Sequence, residues 1–167
     1  MNAVRWRPAY VGIGSNLDSP RDQIGRAIAA LATIEETVLV QTSPLYLSAP
    51  LDGSDQPDYI NAVCALLTRL DADSLLKFLQ DIERAQGRSR DAKKWGPRTL
   101  DLDLLVYSST SMDEKDLKLP HPGITERNFV LLPLLDIAPH LQIPGQGSVT
   151  GLAAAIDTGN PRIEKLK

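Results

Sequence analysis

Asp101 and Asp103 stand one residue apart in the apolar run TLDLDLLVY (99–107), where each carboxylate costs free energy unless a cation or donor meets it. Side chains alternate along a strand. Leu100, Leu102, Leu104 and Val106 are therefore predicted on one face, and Thr99, Asp101, Asp103, Leu105 and Tyr107 on the other. The strand rise puts the two acidic Cα atoms about 6.5–7 Å apart. Two anions at that spacing repel, and a shared cation relieves both. Paired hard oxygen donors suit Mg²⁺, which keeps several waters and completes its shell from substrate phosphates. Taken alone, the same D-x-D also fits a solvated edge strand.

The stretch RSRDAKKWGPR (88–98) runs directly into that strand, with Arg88, Arg90, Lys93, Lys94 and Arg98 against Asp91 alone. In isolation such a run is commonly a solvated loop. Ahead of two acids it acquires chemical sense. A polyphosphate carried as its Mg²⁺ complex needs carboxylates for the metal and guanidinium groups for the oxygens. The ordinary nucleotide signatures are absent: no Gly-Lys pair occurs, and GIGSNL (12–17) has Leu17 where the dinucleotide fingerprint needs a third glycine. Two histidines and one cysteine make a zinc site a poor fit, and no Ser-His-Asp arrangement is legible.

The elements that must position these groups can be read from periodicity. YVGIGSNL (10–17) is a short strand, followed by a helix with Ser19 as cap, Pro20 at its first position, and Ile24, Ala27, Ile28, Leu31 and Ile34 on its packed face. TVLVQTSPLYL (37–47) is β-rich and is expected at a sheet edge or split at Pro44. A loop of turn residues (48–58) leads to the strand YINAVCALLTRL (59–70) and to a helix over about 73–86, ended by Gly87. After the acidic strand come a polar connection, a helical region beyond His121, and a last short helix in SVTGLAAAI. The order β-α-β-β-α-β predicts a ferredoxin-like α+β sandwich with a mainly antiparallel sheet. One domain is expected over 1–167, its core at about 10–147 and the tail after Asp157 loosely held.

Composition is that of a globular protein, 43% apolar and 23% charged, and a net charge of −3 argues against a protein that coats nucleic acid. Cys64, in an apolar run, reads as a buried inert thiol. No stretch approaches a membrane span, and the first residues lack a signal-peptide core, so a cytoplasmic location is expected.

YVGIGSNL, DQPDYINAV, ERAQGRSR, WGPRTLDLDLL and LPHPGITERNFVLLPL, in this order from Tyr10 to Pro144, resemble the motifs of the 6-hydroxymethyl-7,8-dihydropterin pyrophosphokinase family. The resemblance implies transfer of a diphosphate from ATP to a pterin hydroxymethyl group, with AMP released, in folate biosynthesis. It implies two Mg²⁺ ions on Asp101 and Asp103, and a charge-stabilising role for Arg88 and Arg98 on the moving diphosphate. Gln80, Glu83, Arg90, Lys94 and Leu104 fall at ATP-contacting positions, as do Leu117, Lys118, His121 and Arg127. Ser48, Ala49, Pro50 and Leu51 fall at the pterin pocket together with Tyr59, Asn61, Trp95 and Phe129. Tyr59 and Phe129 are expected to sandwich the heterocycle, and Asn61 to read its edge, with Trp95 beside both substrates.

Some positions depart from the pattern: Ala49 replaces a frequent proline, Ser48 a threonine and Pro122 a tyrosine, and Asp91 stands where a cation is common. These departures bear on affinity rather than chemistry. The expected partners are small molecules, with no nucleic acid and no membrane, and a monomer is expected. Two other classes fit fewer of the residues: a different Mg²⁺-dependent phosphoryl or nucleotidyl transferase, and a nucleic-acid-binding module using the basic stretch.

Overall fold

The computed structural model describes residues 3–87, Pro97 and 99–167. The chain opens with β1 (Arg7–Ser15), α1 (Pro20–Leu31), β2 (Thr37–Thr42), β3 (Tyr46–Ser48), β4 (Tyr59–Thr68), α2 (Ala72–Ala85) and β5 (Asp101–Tyr107). It continues through the short pair β6 (Met112–Asp113) and β7 (Lys118–Leu119) to α3 (Asn128–Ile137). A second short pair, β8 (Gln142–Ile143) and β9 (Gly147–Ser148), precedes α4 (Val149–Ala155) and β10 (Ile163–Lys165).

The main sheet runs β10-β3-β4-β1-β5, with β2 also on β4, and every pairing in it is antiparallel. This is the ferredoxin-like α+β arrangement read from the sequence, with strand 37–47 divided at Pro44. Pro44 has no N–H to offer, so the segment pairs with β4 in two pieces: Thr37–Thr42 along one stretch and Tyr46–Ser48 along the other.

Each face of the sheet carries its own apolar cluster. Val11, Ile13, Cys64, Leu66, Leu102 and Leu104 pack against Ile24, Ala27 and Leu31 of α1 and Leu75 and Leu79 of α2. Val63, Leu105 and Val106 pack on the other face against Val130, Leu131 and Leu134 of α3 and Val149 of α4. Each fully buried leucine contributes about 1.5–3 kcal/mol, so the helices are held to the sheet by packing far more than by their caps.

Three details differ from the sequence reading. Ser19 precedes α1 as expected but adopts φ 62° and makes no side-chain cap; its carbonyl instead accepts from Asp22 and Gln23 amides at 2.9 and 3.1 Å. The β1–β5 register pairs Tyr10 with Val106 and Val11 with Leu104, leaving Leu105 as a bulge. Alternation reverses past that residue, so Tyr107 joins the leucine cluster and Val106 the opposite one. Finally, the segment after Asp157 is tied down. Ile163, Glu164 and Lys165 pair with Ser48, Leu47 and Tyr46, and Lys165 reaches Asp136 at 2.9 Å. Asp136 also accepts the Tyr46 hydroxyl.

Candidate active site

Two rows of side chains cross three strands on the sheet face that carries α3. Asn61 on β4, Gly14 on β1 and Asp101 on β5 form one row; Val63, Gly12 and Asp103 form the next. The central residue of each row is glycine, so nothing rises from β1 between Asn61 and the acids. A Cβ on Gly14 would lie 3.4 Å from the Asn61 Oδ1, and one on Gly12 would lie 3.4 Å from Leu105 Cδ1. Adjacent strands are about 4.8 Å apart, so the bare central strand opens a trough roughly 10 Å wide.

That trough is the floor of a cleft of about 260 Å³. One wall comes from Ser48, Ala49, Pro50 and Leu51 at the end of β3, another from Tyr59 and Asn61, and a third from His121, Arg127 and Phe129. Asp101 and Asp103 line the same space. Asn61 is 5% exposed and donates through Nδ2 to the Ser48 hydroxyl at 2.8 Å, which fixes the amide orientation against the wall. The loop between these residues is pinned at its far end, where Asn16 donates to the Pro57 carbonyl at 3.0 Å.

His121 is set by three contacts. Its backbone N–H donates to the carbonyl of bulged Leu105 at 2.8 Å, its Nδ1 accepts from the Gly123 amide at 3.1 Å, and its Nε2 stands 3.8 Å from Asp103 Oδ1. With Nδ1 occupied as an acceptor, the proton of the neutral ring belongs on Nε2, facing the acids. Burial, and after it the Arg127 guanidinium, push the ring down from 6.5 to about 4, with Asp101 opposing. At neutral pH His121 is therefore an uncharged donor, and its 3.8 Å approach to Asp103 is proximity rather than an ion pair.

Arg127 directly precedes α3, and its guanidinium carbon lies 6.0 Å from the centroid of Phe129. It also crosses over Gly123, where an added Cβ would come within 2.5 Å of its Nε. One cation is thus held between a ring and a bare backbone at the rim of the acidic trough.

Asp101 and Asp103 are the residues suited to hold a hard cation. Their carboxylates share one strand face, and the Asp103 side chain keeps 33% exposure, leaving room for waters. Among the described residues no set of three His, Cys, Asp or Glu side chains is arranged for a metal. An ion there would take its remaining ligands from water and substrate, which suits Mg²⁺ with phosphates better than a closed structural site.

Of the residues named from sequence, the cleft unites Ser48, Ala49, Pro50, Leu51, Tyr59, Asn61, Asp101, Asp103, His121, Arg127 and Phe129. Gln80, Glu83, Leu104, Leu117 and Lys118 do not line it. Leu104 and Leu117 belong to the cluster beneath α2, Gln80 and Glu83 sit on that helix, and Lys118 pairs with Asp113 at 3.0 Å. Arg88, Arg90, Lys94, Trp95 and Arg98 lie outside the described residues. Sequence reasoning missed Gly12, Gly14 and Gln56, which also line the cleft. The signal for the glycines was present: alternate glycines within a strand mark a close approach by something else.

Residues 10–139 match the profile of a family described as 7,8-dihydro-6-hydroxymethylpterin-pyrophosphokinase (HPPK). A 2-amino-4-hydroxy-6-hydroxymethyldihydropteridine pyrophosphokinase of Pseudomonas aeruginosa is 49% identical over 87% of this chain and 90% of its own length. One of the same name from Haemophilus influenzae is 44% identical over 86% and 89%. The folic acid synthesis protein fol1 of Schizosaccharomyces pombe is 40% identical over 81% of this chain, which spans only 18% of that longer protein. Among solved structures, wild-type HPPK-DHPS of Plasmodium falciparum superposes with a TM-score of 0.68 at 14% identity, over 90% of this chain and 44% of that one. An HPPK-DHPS in complex with substrates gives 0.70 at 13% identity, over 90% and 43%. The chain spans less than half of those solved chains, and they bear on the fold alone. With the profile match covering most of the sequence and two relatives above 40% identity along nearly their full length, the chain belongs to the 7,8-dihydro-6-hydroxymethylpterin-pyrophosphokinase family.

Proposed function

We propose that the chain transfers the diphosphate of ATP to the hydroxymethyl oxygen of 6-hydroxymethyl-7,8-dihydropterin, giving AMP and the pterin diphosphate, a step of folate biosynthesis. The observation that carries this reading is the pair of cross-strand rows, in which Asn61 and Asp101 face one trough from either side of Gly14. A flat polar heterocycle fits the end with Tyr59, Phe129 and Asn61; a polyphosphate and its counter-ions fit the end with Asp101, Asp103, His121 and Arg127.

Tyr59 and Phe129 supply ring surface for the pterin, and the fixed Asn61 amide offers a donor and an acceptor to its edge. Asp101 and Asp103 would hold two Mg²⁺ ions, which when bound would supply charge compensation for the displacement. His121 donates from Nε2 to a phosphate oxygen without adding a positive charge that would compete for the acids. Arg127 supplies that charge at the rim, and Arg88 and Arg98 act on the transferring group. The hydroxymethyl oxygen attacks the β-phosphorus and gives up its proton to solvent, the bond from that phosphorus to the α–β bridging oxygen breaks, and AMP departs with that oxygen and its electron pair. Gln80, Glu83, Leu104, Leu117 and Lys118 form an adenosine-binding edge near α2 and β7, with Arg90, Lys94 and Trp95 joining from the basic stretch. The whole of 1–167 acts as one catalytic unit. It works as a cytoplasmic monomer, with small-molecule substrates and no nucleic acid; no helix among the described residues is long and apolar enough to cross a membrane.

The test is product identity. Protein incubated with Mg²⁺, ATP and the hydroxymethyldihydropterin should release AMP and a pterin diphosphate in equal amounts. ADP in place of AMP would assign the site to an ordinary phosphoryl transferase instead.

A further inference from the structure

The residues after Asp157 run past two walls of the cleft and bond to both. Asn128, fully buried and next to Phe129, donates from Nδ2 to the Asp157 carbonyl at 3.0 Å and to the Pro161 carbonyl at 2.8 Å. One residue further on, the Arg162 carbonyl accepts the Ala49 amide at 2.9 Å. Ile163 then pairs with Ser48 as β10 adds to the outer side of β3. Arg162 also reaches across to Asp58, at 2.9 Å, on the stretch leading into Tyr59.

We infer that this C-terminal segment is a positioning element for pterin: it sets the separation between the Ser48–Leu51 wall and the Phe129 wall. The geometry is economical. Pro161 lies in the turn closed by the Gly159–Arg162 bridge, and where the chain leaves that turn the carbonyls of Pro161 and Arg162 go to Asn128 and Ala49 respectively. β3 is only three residues long and is held from the inside by β4 alone. Without β10 its outer N–H and C=O groups would be unpaired, and the loop it feeds would lose its fixed end. None of these contacts reaches Asp101, Asp103 or His121, so the polyphosphate end of the cleft does not depend on them.

This rests on the reading of the cleft as a pterin site, and the experiment separates the two. Pterin binding to the unaltered protein is measured first, by calorimetry in the presence of a non-hydrolysable ATP analogue; absence of binding would sink the reading of the cleft itself. Given binding, Asn128→Ala leaves the buried Pro161 carbonyl and the part-buried Asp157 carbonyl without their donor and should raise the pterin KM about tenfold. Its ATP KM and its kcat at saturating pterin should stay within about twofold, the pattern of lost ground-state binding. Arg162→Ala alters a side chain 71% exposed and keeps the fold whatever Asn128→Ala does. It should raise the pterin KM about two- to threefold. An unchanged pterin KM in Arg162→Ala and in a folded Asn128→Ala, or an equal rise in both substrates' KM, overturns the inference.

Discussion

The carbonyl of Leu105 accepts the backbone amide of His121 at 2.8 Å, and Leu105 is the residue at which β5 slips register against β1. β5 is the last strand of its sheet, so carbonyls on its outer side are turned away from β1. The Leu105 carbonyl, at the bulge, holds the histidine beside Asp103. His121 then acts as a neutral Nε2–H donor. His121→Gln, which retains an N–H donor, should keep most of the activity. His121→Ala should lose about 10- to 100-fold in kcat/KM, the worth of a hydrogen bond to a charged group. Steady-state kinetics of both variants decide it, and equal losses would contradict the donor role.

The acidic pair makes a second prediction. Asp101→Asn or Asp103→Asn preserves shape and the leucine face of β5 while removing one charge of the metal site. Turnover should fall by at least about 10²-fold in each. Calorimetric pterin binding in the absence of nucleotide should hardly change, since Asn61 and the aromatic wall are untouched. A variant that keeps its turnover would remove that acid from the metal site.

A third concerns stability rather than chemistry. Asp71 caps α2, accepting from the Ser74 amide at 2.7 Å, and those hydrogen bonds hold its carboxyl below the usual carboxylate range. Asp71→Ala should cost about 1 kcal/mol at neutral pH. A depressed folded-state pKa gives stability that is present above the unfolded value, near 4, and is lost as pH falls through the lower folded value. The gap between wild type and variant in urea unfolding should therefore be constant from pH 8 to 5 and shrink below 4. A gap that stays constant into acid would mean the ionised carboxylate is not what caps the helix.

Much of this was legible beforehand for identifiable reasons. α1 and α2 show in the spacing of Ile24, Ala27 and Leu31 and of Leu75 and Leu79, because helical packing is local in sequence. The shared face of Asp101 and Asp103 follows from strand alternation alone. The same rule failed at Val106 and Tyr107, since a bulge is a property of two strands in register and β1 lies some 90 residues away. The C-terminal segment looked loose because IEK carries little β signal of its own; its order comes from Asn128 and β3, both distant in sequence. In sequence Gly12 and Gly14 read only as a failed nucleotide motif, although their register opposite Asn61, Asp101 and Asp103 is what opens the cleft.

Gly123 carries the last prediction. It donates its amide to His121 and lies under the Arg127 guanidinium, where a Cβ would fall 2.5 Å from Nε and 2.9 Å from Cζ. Those atoms end a flexible side chain, so Gly123→Ala should fold normally and move Arg127 instead. The ATP KM should then rise about fivefold, roughly 1 kcal/mol, while the circular dichroism melt stays within experimental error of wild type. If displacement of Arg127 is the cause, the substitution should have no further effect in an Arg127→Ala background. Additive losses in the double variant would mean that Gly123 acts through the His121 contact or the backbone, with Arg127 a bystander.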